Sequence, residues 1–175
     1  MFSLNIFISI FLLFLLYLLI FRYKAPWVPI FTRDLIRIDQ LINLEAGKTF
    51  YDLGCGNGRV IFYLAKKYPS VNFVGVELSL NLFIICNLRK IFGGYKNVKL
   101  ILNDYMRLDL NLADYIYVFA NAGPIQTIGE KLARERKKAL IVISYCFPIN
   151  NLTKFLREKN KPDAKNQAIY IYDLK

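Results

Sequence analysis

The sequence predicts an α/β protein in which a doubly wound, seven-stranded sheet follows one N-terminal transmembrane helix. Residues 1–21 contain no charged side chain and consist mainly of Phe, Leu and Ile. From residue 48 onward, short β-like segments alternate with segments of helical periodicity, a pattern typical of a parallel sheet with helices on both faces. The final segments break this alternation and predict a C-terminal antiparallel hairpin.

The apolar N-terminus predicts a membrane anchor because a bilayer core requires about 20 apolar helical residues. A cleaved signal peptide is the alternative, but it needs a basic segment before the apolar run and small residues at the cleavage site. The basic segment is absent, and Tyr23 and Trp27 stand where small residues should be. Arg22, Lys24 and Arg33 follow the span, so the positive-inside rule predicts a single-pass membrane protein with a cytoplasmic domain.

The rest of the chain divides into a connector with an N-terminal helix, residues 22–47, and one domain, residues 48–175. The predicted helices cover residues 33–42, 58–68, 79–93 and 123–136. The predicted strands cover residues 48–52, 72–77, 97–102, 114–119, 139–145, 152–157 and 167–174. A loop over residues 103–112 separates the third strand from the fourth.

A glycine-rich turn joins the first predicted strand of the domain to its helix. It reads Tyr-Asp-Leu-Gly-Cys-Gly-Asn-Gly-Arg, with Asp52 ahead of Gly54, Gly56 and Gly58. Glycines allow positive φ and a close approach of the backbone to a ligand. The helix that follows presents free N–H groups to the same place. The turn therefore predicts a nucleotide-binding site.

Two further acids follow strands at matching positions. Glu77 ends the second strand, where an acid can accept hydrogen bonds from ribose hydroxyls. Asp104 follows the third strand. A dinucleotide site, the alternative, would have its third glycine one residue later, as in Gly-x-Gly-x-x-Gly. The observed spacing resembles the S-adenosylmethionine site of class I, seven-β-strand methyltransferases, which have a Rossmann-like sheet.

The residue types present in the chain limit the reactions that it can catalyse. The chain has no histidine, which excludes Ser-His and Cys-His nucleophilic schemes and histidine metal sites. Cys55, Cys86 and Cys146 lack metal-type spacing, and we expect them to stay reduced and to hold no metal. Chemistry must therefore use carboxylates, tyrosines, lysines, backbone groups or proximity alone.

The resemblance extends beyond the superfamily. The chain resembles small membrane-anchored protein lysine methyltransferases that modify ATP synthase c subunit and adenine nucleotide translocase. Besides the apolar N-terminus, the matching segments are Pro26-Trp27-Val28-Pro29, Asp52 to Arg59, Gly75-Val76-Glu77-Leu78, Val118-Phe119, Glu130-Lys131-Leu132 and Cys146-Phe147-Pro148. One departure lies beside the expected acceptor site, where residues 120–124 read Ala-Asn-Ala-Gly-Pro. It leaves the methylated target open.

This resemblance implies a role for each candidate residue. Asp52 lies near the methionine part of S-adenosylmethionine, Glu77 binds the ribose, and Asp104 receives the adenine 6-amino group. The three glycines let the backbone approach the donor. Near the acceptor, Asn121 orients an amine, and Tyr105 and Tyr145 shape its channel. No general base is assigned.

The predicted acceptor is a lysine of a membrane or membrane-associated protein, methylated by direct transfer. A lipid headgroup, a quinone and RNA are alternatives within the enzyme class, and a non-catalytic cofactor-binding scaffold is the alternative outside it. The net charge of +11 suits an anionic lipid surface. Its basic residues are dispersed without an aromatic-interleaved motif, which disfavours a nucleic-acid partner. Nothing in the sequence predicts the oligomeric state.

Overall fold

The computed structural model describes residues 4–20, 28–135 and 139–175 of the chain. The helices are α1 (Leu4–Ile20), α2 (Thr32–Leu41), α3 (Arg59–Lys67), α4 (Leu80–Gly93) and α5 (Ala122–Glu135). The strands are β1 (Thr49–Leu53), β2 (Asn72–Glu77), β3 (Val98–Leu102), β4 (Tyr115–Val118), β5 (Leu140–Tyr145), β6 (Leu156–Asn160) and β7 (Ile169–Leu174). Two 3₁₀ helices cover Tyr105–Arg107 and Asn150–Phe155.

The seven strands form one sheet in the order β3-β2-β1-β4-β5-β7-β6. Strands β1 to β5 pair in parallel, whereas β7 is antiparallel to both β5 and β6. This arrangement confirms the predicted Rossmann-like sheet with its C-terminal hairpin. The chain winds outward from β1 to β3 and then crosses to β4, so the strand order reverses between β1 and β4. In such sheets ligands bind at the carboxyl ends of the strands at this reversal.

Two apolar layers cover the sheet. One consists largely of α2, α3 and the strand residues that face them, and it contains Phe50, Ile61 and Phe73. The other lies against α5 and contains Ile116 and Ile128. Because neighbouring strand residues point to opposite faces, Asp52 lies on the same face as Phe50. The carboxylate of Asp52 therefore points toward the α3 side of the sheet.

A buried polar network fixes α2 to the C-terminal half of the sheet. Asp34 is fully buried, and it accepts hydrogen bonds from Tyr145 Oη at 2.6 Å and Arg37 Nη1 at 2.8 Å. Arg37 also donates to the carbonyl oxygen of Asn160 at 2.9 Å. These bonds orient the start of α2, and with it the connector residues 28–31, over the carboxyl ends of the strands.

The sixth strand differs from the prediction, which placed it at residues 152–157. The chain forms a 3₁₀ helix over Asn150–Phe155, and β6 begins only at Leu156. Leu152 is fully buried in the α5 layer, and the Asn150 N–H donates to Gln126 Oε1 at 2.8 Å. Tertiary packing against α5 therefore overrides the local β character. Strand β6 itself is an exposed edge strand rich in charge, a composition that gives a weak strand signal.

The predicted transmembrane helix over residues 1–21 is not found in this form. Helix α1 comprises 17 residues. Within the described part of the chain, no helix is both long enough and apolar enough to cross a membrane. Residues 1–3 and 21–27, which belong to the predicted anchor and connector, lie outside the described residues.

Candidate active site

A cavity of about 330 Å³ lies at the carboxyl ends of β1, β2 and β4. Residues 54–57 of the glycine loop after β1 (residues 54–58) form one side, and the start of α4 forms another. Connector residues 28–30 and residues 119–121 after β4 complete the walls. The cavity thus lies at the strand-order reversal, and its volume is in the range of small-molecule sites.

The glycine loop follows the predicted backbone course. Gly54, Gly56 and Gly58 have φ values of 78°, 57° and 79°, in the left-handed region that glycine tolerates best. A Cβ atom at Gly58 would lie 2.6 Å from Phe62 Cδ2 and 2.7 Å from Cys86 Sγ. A Cβ atom at Gly54, which lines the cavity, would meet no atom within 4 Å. Gly58 is therefore required by packing, whereas Gly54 leaves space for a ligand.

Glu77 lies in the cavity wall and also supports the loop. Its Oε2 accepts a hydrogen bond from the Gly56 N–H at 2.7 Å, and its Oε1 accepts one from the Ser79 N–H at 2.8 Å. The carboxylate thereby joins the glycine loop to the start of α4. Each oxygen retains one lone pair, so the predicted ribose contact is compatible with these bonds.

Asp52 is the most unusual group in the cavity. It is 2% exposed, and its Oδ2 atom has no hydrogen-bond partner within the described residues. The pKa of Asp52 is raised from 3.8 to about 8, chiefly by burial and secondarily by the nearby Glu77 carboxylate, while a hydrogen bond from the Ile61 backbone opposes the shift. A buried carboxylate oxygen without a partner indicates a missing donor group, preferably a cation.

Tyr117 was not predicted as a site residue, yet it stands beside Asp52. The two residues pair in the register of β1 and β4, so their side chains point to the same face of the sheet. The hydroxyl of Tyr117 is buried without a hydrogen-bond partner among the described residues, and the residue lines the cavity. Burial, followed by the charge of Asp52, raises its pKa well above 10.0, so the hydroxyl keeps its proton.

The two residues of the turn after β3 occupy different places. Tyr105 lines the cavity, and burial together with Asp104 and Glu77 raises its pKa; its role beside the acceptor stays a prediction. Asp104 does not line the cavity; its Oδ1 accepts the Met106 N–H at 2.9 Å and caps the 3₁₀ helix. The contact between Asp104 and the adenine amino group therefore stays a prediction.

Asn121 and Tyr145 also differ in position. Asn121 is an exposed residue of the cavity wall, and its carbonyl oxygen accepts the Ile125 N–H in the first turn of α5. Tyr145 is 1% exposed and lies one layer behind the wall. Its ring packs edge-on against Phe119, at a centroid distance of 4.9 Å, and its hydroxyl donates to Asp34. Burial and that bond raise its pKa.

The connector closes one side of the cavity, a contribution that the sequence did not predict. Val28, Pro29 and Ile30 line the cavity, and Ile30 is 4% exposed. Arg59, at the start of α3, donates a 2.6 Å hydrogen bond to Thr32 Oγ1. This bond joins the start of α3, directly after the glycine loop, to the start of α2, directly after the connector. The only sequence signal was the stiff Pro-Trp-Val-Pro segment itself.

Two cysteines that are distant in sequence meet beneath the loop. The thiol of Cys55 hydrogen-bonds with Cys86 of α4, and this bond together with burial raises the pKa of Cys55. Cys55 therefore stays a neutral thiol and is unsuited to act as a nucleophile. Within the described residues, no group of three or more His, Cys, Asp or Glu side chains is arranged to hold a metal ion.

The family is shown by a match to a known family model. Residues 52–155 match the model of the ANTKMT methyltransferase domain, which therefore covers the glycine loop, the strand residues that line the cavity and α5. The chain belongs to this methyltransferase family. The chain is thus an S-adenosylmethionine-dependent methyltransferase, which confirms the predicted enzyme class and replaces the scaffold alternative.

Individual relatives and structures support the same class. A protein-lysine N-methyltransferase from Saccharolobus islandicus is 25% identical over 85% of this methyltransferase and 92% of its own length. A tRNA (guanine-N(7)-)-methyltransferase from Staphylococcus saprophyticus is 30% identical, but over only 50% of this chain and 46% of its own. The crystal structure of a Salinibacter ruber RNA methyltransferase in complex with S-adenosyl-L-homocysteine has a TM-score of 0.73 at 20% identity, covering 83% of this chain and 93% of that one.

The cavity fits the donor that the family uses. S-adenosylmethionine carries an ammonium group, which suits the partnerless Oδ2 of the buried Asp52. Glu77 offers acceptor capacity for hydroxyl groups, and the open space at Gly54 permits close approach of the backbone. Asp52, Glu77 and the glycine loop therefore suit the predicted donor contacts, and among the described residues the Asp52 Oδ2 still lacks a partner.

Proposed function

We propose that this methyltransferase N-methylates a lysine of a membrane or membrane-associated protein. The observation that carries the proposal is the similarity to a protein-lysine N-methyltransferase over nearly the full length of both chains. The tRNA methyltransferases match only about half of this chain. A protein acceptor accounts for the whole chain, including the connector that lines the cavity.

The apolar N-terminus supports the membrane part of the proposal. Large apolar side chains between Ile6 and Leu15 are exposed on every side of α1. A helix that is apolar all round needs an apolar environment, and this domain does not provide one. A bilayer does, and the net charge of +11 favours an anionic lipid surface. We accordingly propose a membrane-attached enzyme whose domain lies in the cytoplasm.

The walls near the acceptor side suit a neutral amine. Bound S-adenosylmethionine supplies a sulfonium that activates its methyl group for direct displacement. Phe119, Ala120 and Pro124 form an apolar wall, which disfavours a charged lysine and so lowers the pKa of the incoming amine. The exposed Asn121 is positioned to orient that amine, and the Tyr117 hydroxyl is available as a further hydrogen-bonding group. No covalent enzyme intermediate is needed, because proximity and exclusion of water serve this reaction.

RNA is the second candidate acceptor. The basic charge and the half-length match to tRNA (guanine-N(7)-)-methyltransferases favour it. The described surface offers no single feature that selects RNA over lipid headgroups, so the experiment below separates these acceptors chemically.

The test is transfer of labelled methyl from S-adenosylmethionine into host membranes incubated with purified full-length enzyme. Protein, lipid and RNA are then separated by organic extraction and by nuclease or protease digestion. The Asp52→Asn variant is the inactive control, and Asp163→Asn, at an exposed site away from the cavity, is the matched active control. We expect protease-sensitive label, which peptide mass spectrometry assigns to methyl-lysine.

Two results would contradict this proposal. Label that follows the lipid extract would make the acceptor a headgroup or a quinone. Label that is lost with nuclease would make it RNA. In either case the family assignment and the donor site would stand, because the label still requires Asp52.

A further inference from the structure

Helix α4 exposes an apolar face that the domain leaves uncovered. Six large apolar side chains on α4 are 47% to 85% exposed: Leu80, Ile84, Ile85, Leu88, Ile91 and Phe92. We refer to these six residues as the α4 face. At 100° per residue they fall within one contiguous half of the helix, together with Asn81. On the other side, Cys86 is the helix's buried residue among those described.

This distribution is the reverse of an ordinary surface helix, whose polar side faces water. Single exposed apolar residues are common, but a contiguous exposed apolar surface marks an interaction site. Helix α1 is present in the same structure and does not cover the α4 face, since the exposures include its atoms. None of the described residues covers the α4 face, so we look for its occupant outside the described part of the chain.

Charge on and after α4 indicates that occupant. At 100° per residue the exposed Arg89 borders the α4 face, whereas Lys90 lies on the other side of the helix. The exposed Lys96 and Lys99 follow α4 in the chain. The chain as a whole carries a net charge of +11. A second copy would bring two strongly cationic molecules together, which is electrostatically unfavourable. An anionic bilayer offers apolar depth for the leucines and isoleucines and anionic headgroups for the lysines.

We infer that the α4 face is a second membrane contact, which lies in the interface of an anionic bilayer with its apolar side chains buried. This inference rests on the membrane location proposed above and does not depend on the identity of the methyl acceptor. Amphipathic helices bind in this way through an apolar side flanked by lysine or arginine.

The inference orients the active site. Leu78, Ser79 and Leu82, at and just before the start of α4, line the cavity. If α4 lies along the bilayer surface, the mouth of the cavity is held at the level of the headgroups. Two contacts, α1 and the α4 face, would fix this orientation, whereas a single contact would leave the domain free to rotate about it. Lysines near the membrane surface then become the accessible acceptors.

The test reports directly on contact between α4 and lipid. Leu88→Trp is introduced into the full chain together with Trp27→Phe, which removes the single native tryptophan. Vesicles contain phosphatidylcholine and phosphatidylglycerol with brominated acyl chains, which quench tryptophan only at close range. The matched control is Leu112→Trp in the same background, because Leu112 is 71% exposed and precedes β4, at the opposite end of the strands from the cavity.

We expect vesicles to shift the emission of the position-88 tryptophan to shorter wavelength and to quench it, with little change at position 112. Adding Ile84→Asp and Ile91→Asp should reduce the quenching by roughly tenfold or more, because two buried apolar side chains are lost. Raising the salt concentration should weaken binding, as expected for anionic lipid.

Three outcomes would overturn the inference. Vesicle-bound enzyme whose position-88 tryptophan stays unquenched would show that α1 alone contacts the bilayer, and the proposed function would survive. A blue-shifted tryptophan that depends on protein concentration without lipid would assign the α4 face to self-association. Enzyme that binds no vesicles at all, yet transfers methyl groups to protein, would refute the membrane location and leave the acceptor class intact.

Discussion

At the scale of single residues, two buried polar groups, Asp52 and Tyr117, set the character of the site. Neither the Oδ2 of Asp52 nor the hydroxyl of Tyr117 has a partner within the described chain, and such groups destabilise a fold by about 1–3 kcal/mol each. Both are retained at the cavity wall, which is where a ligand would complete their hydrogen bonds. We therefore expect these two groups to lower the stability of the free enzyme and to raise its affinity for the donor.

The first prediction concerns the stability of Asp52→Asn. The folded-state pKa of Asp52, about 8, lies above its ordinary value of 3.8, so folding favours its protonated form. Its stabilising contribution is complete below the unfolded pKa and is lost as pH rises through about 8. Thermal unfolding of the free enzyme from pH 4 to 8 should show this decline. The variant should lack that component and melt several degrees higher near pH 8; an equal or lower melting temperature would contradict the cause assigned here.

The second prediction compares two tyrosines of β4. Tyr117→Phe removes a hydroxyl without a partner, so the free enzyme should become more stable while methyl transfer slows by roughly tenfold through loss of one hydrogen bond. Tyr115→Phe is the control, since its hydroxyl donates to the Asn43 carbonyl and accepts the Glu45 N–H. That variant should lose stability and keep its rate. An unchanged rate of methyl transfer in Tyr117→Phe would show that the Tyr117 hydroxyl has no role in the reaction.

Sequence reasoning at this scale located the residues that strand order determines. Asp52 lies near the carboxyl end of β1 and Glu77 ends the adjacent parallel strand β2, so their convergence follows from the topology. The positions of Tyr145 and Tyr117 could not be predicted, because they depend on contacts between residues that are far apart in the sequence. The contact between Tyr145 and Asp34 joins residues 111 positions apart, and Tyr117 becomes a site residue only through its register with Asp52.

At the scale of elements, the glycine loop combines three separate requirements. Its backbone needs positive φ, its inner side must admit α3 and α4, and its outer side must leave room for the donor. Gly58 meets the second requirement and Gly54 the third, although both have nearly the same φ. Within one loop, Gly58 therefore serves packing and Gly54 serves donor binding.

The third prediction uses three Gly→Ala substitutions at positions with φ between 78° and 79°. Gly47→Ala, in open space before β1, should show only the cost of positive φ, about 1 kcal/mol. Gly54→Ala should cost a similar amount of stability and also weaken donor binding. Gly58→Ala should cost roughly 2 kcal/mol more than Gly47→Ala, because its Cβ overlaps Phe62 and Cys86. Chemical denaturation and donor titration measure both effects; equal stability of all three variants would contradict the packing role.

Most elements were predictable from sequence because burial and periodicity agree in them. Strand β2 matches its predicted bounds, and α2 differs by one residue at each end. The segment after β5 was displaced because its 3₁₀ helix is stabilised by contacts with α5 and not by local preference. For the same reason the role of the connector was not predictable from sequence. Its residues 28–30 lie in the cavity wall because Asp34 and Arg37 hold α2 in place.

At the scale of the whole molecule, the cavity and the surfaces proposed to contact a membrane are different parts of the chain. The sheet positions Asp52, Glu77 and the glycine loop, and the family match covers them. The basic charge, α1 and the α4 face carry the proposed membrane location, which the vesicle experiment tests. Similarity to enzymes with RNA and protein acceptors is consistent with one donor site carried on different surfaces.

The central claim, that Asp52 lies at the donor site and must lose its proton to bind the donor, is tested most directly by calorimetry. S-adenosylhomocysteine is titrated into wild-type enzyme and Asp52→Asn across neutral pH, in buffers with different ionisation enthalpies. We predict that wild-type affinity rises as pH approaches about 8 and that binding releases a proton, because the ligand ammonium stabilises the ionised carboxylate. The variant should bind at least roughly tenfold more weakly without releasing that proton. Equal affinity and equal proton release in both proteins would contradict the account.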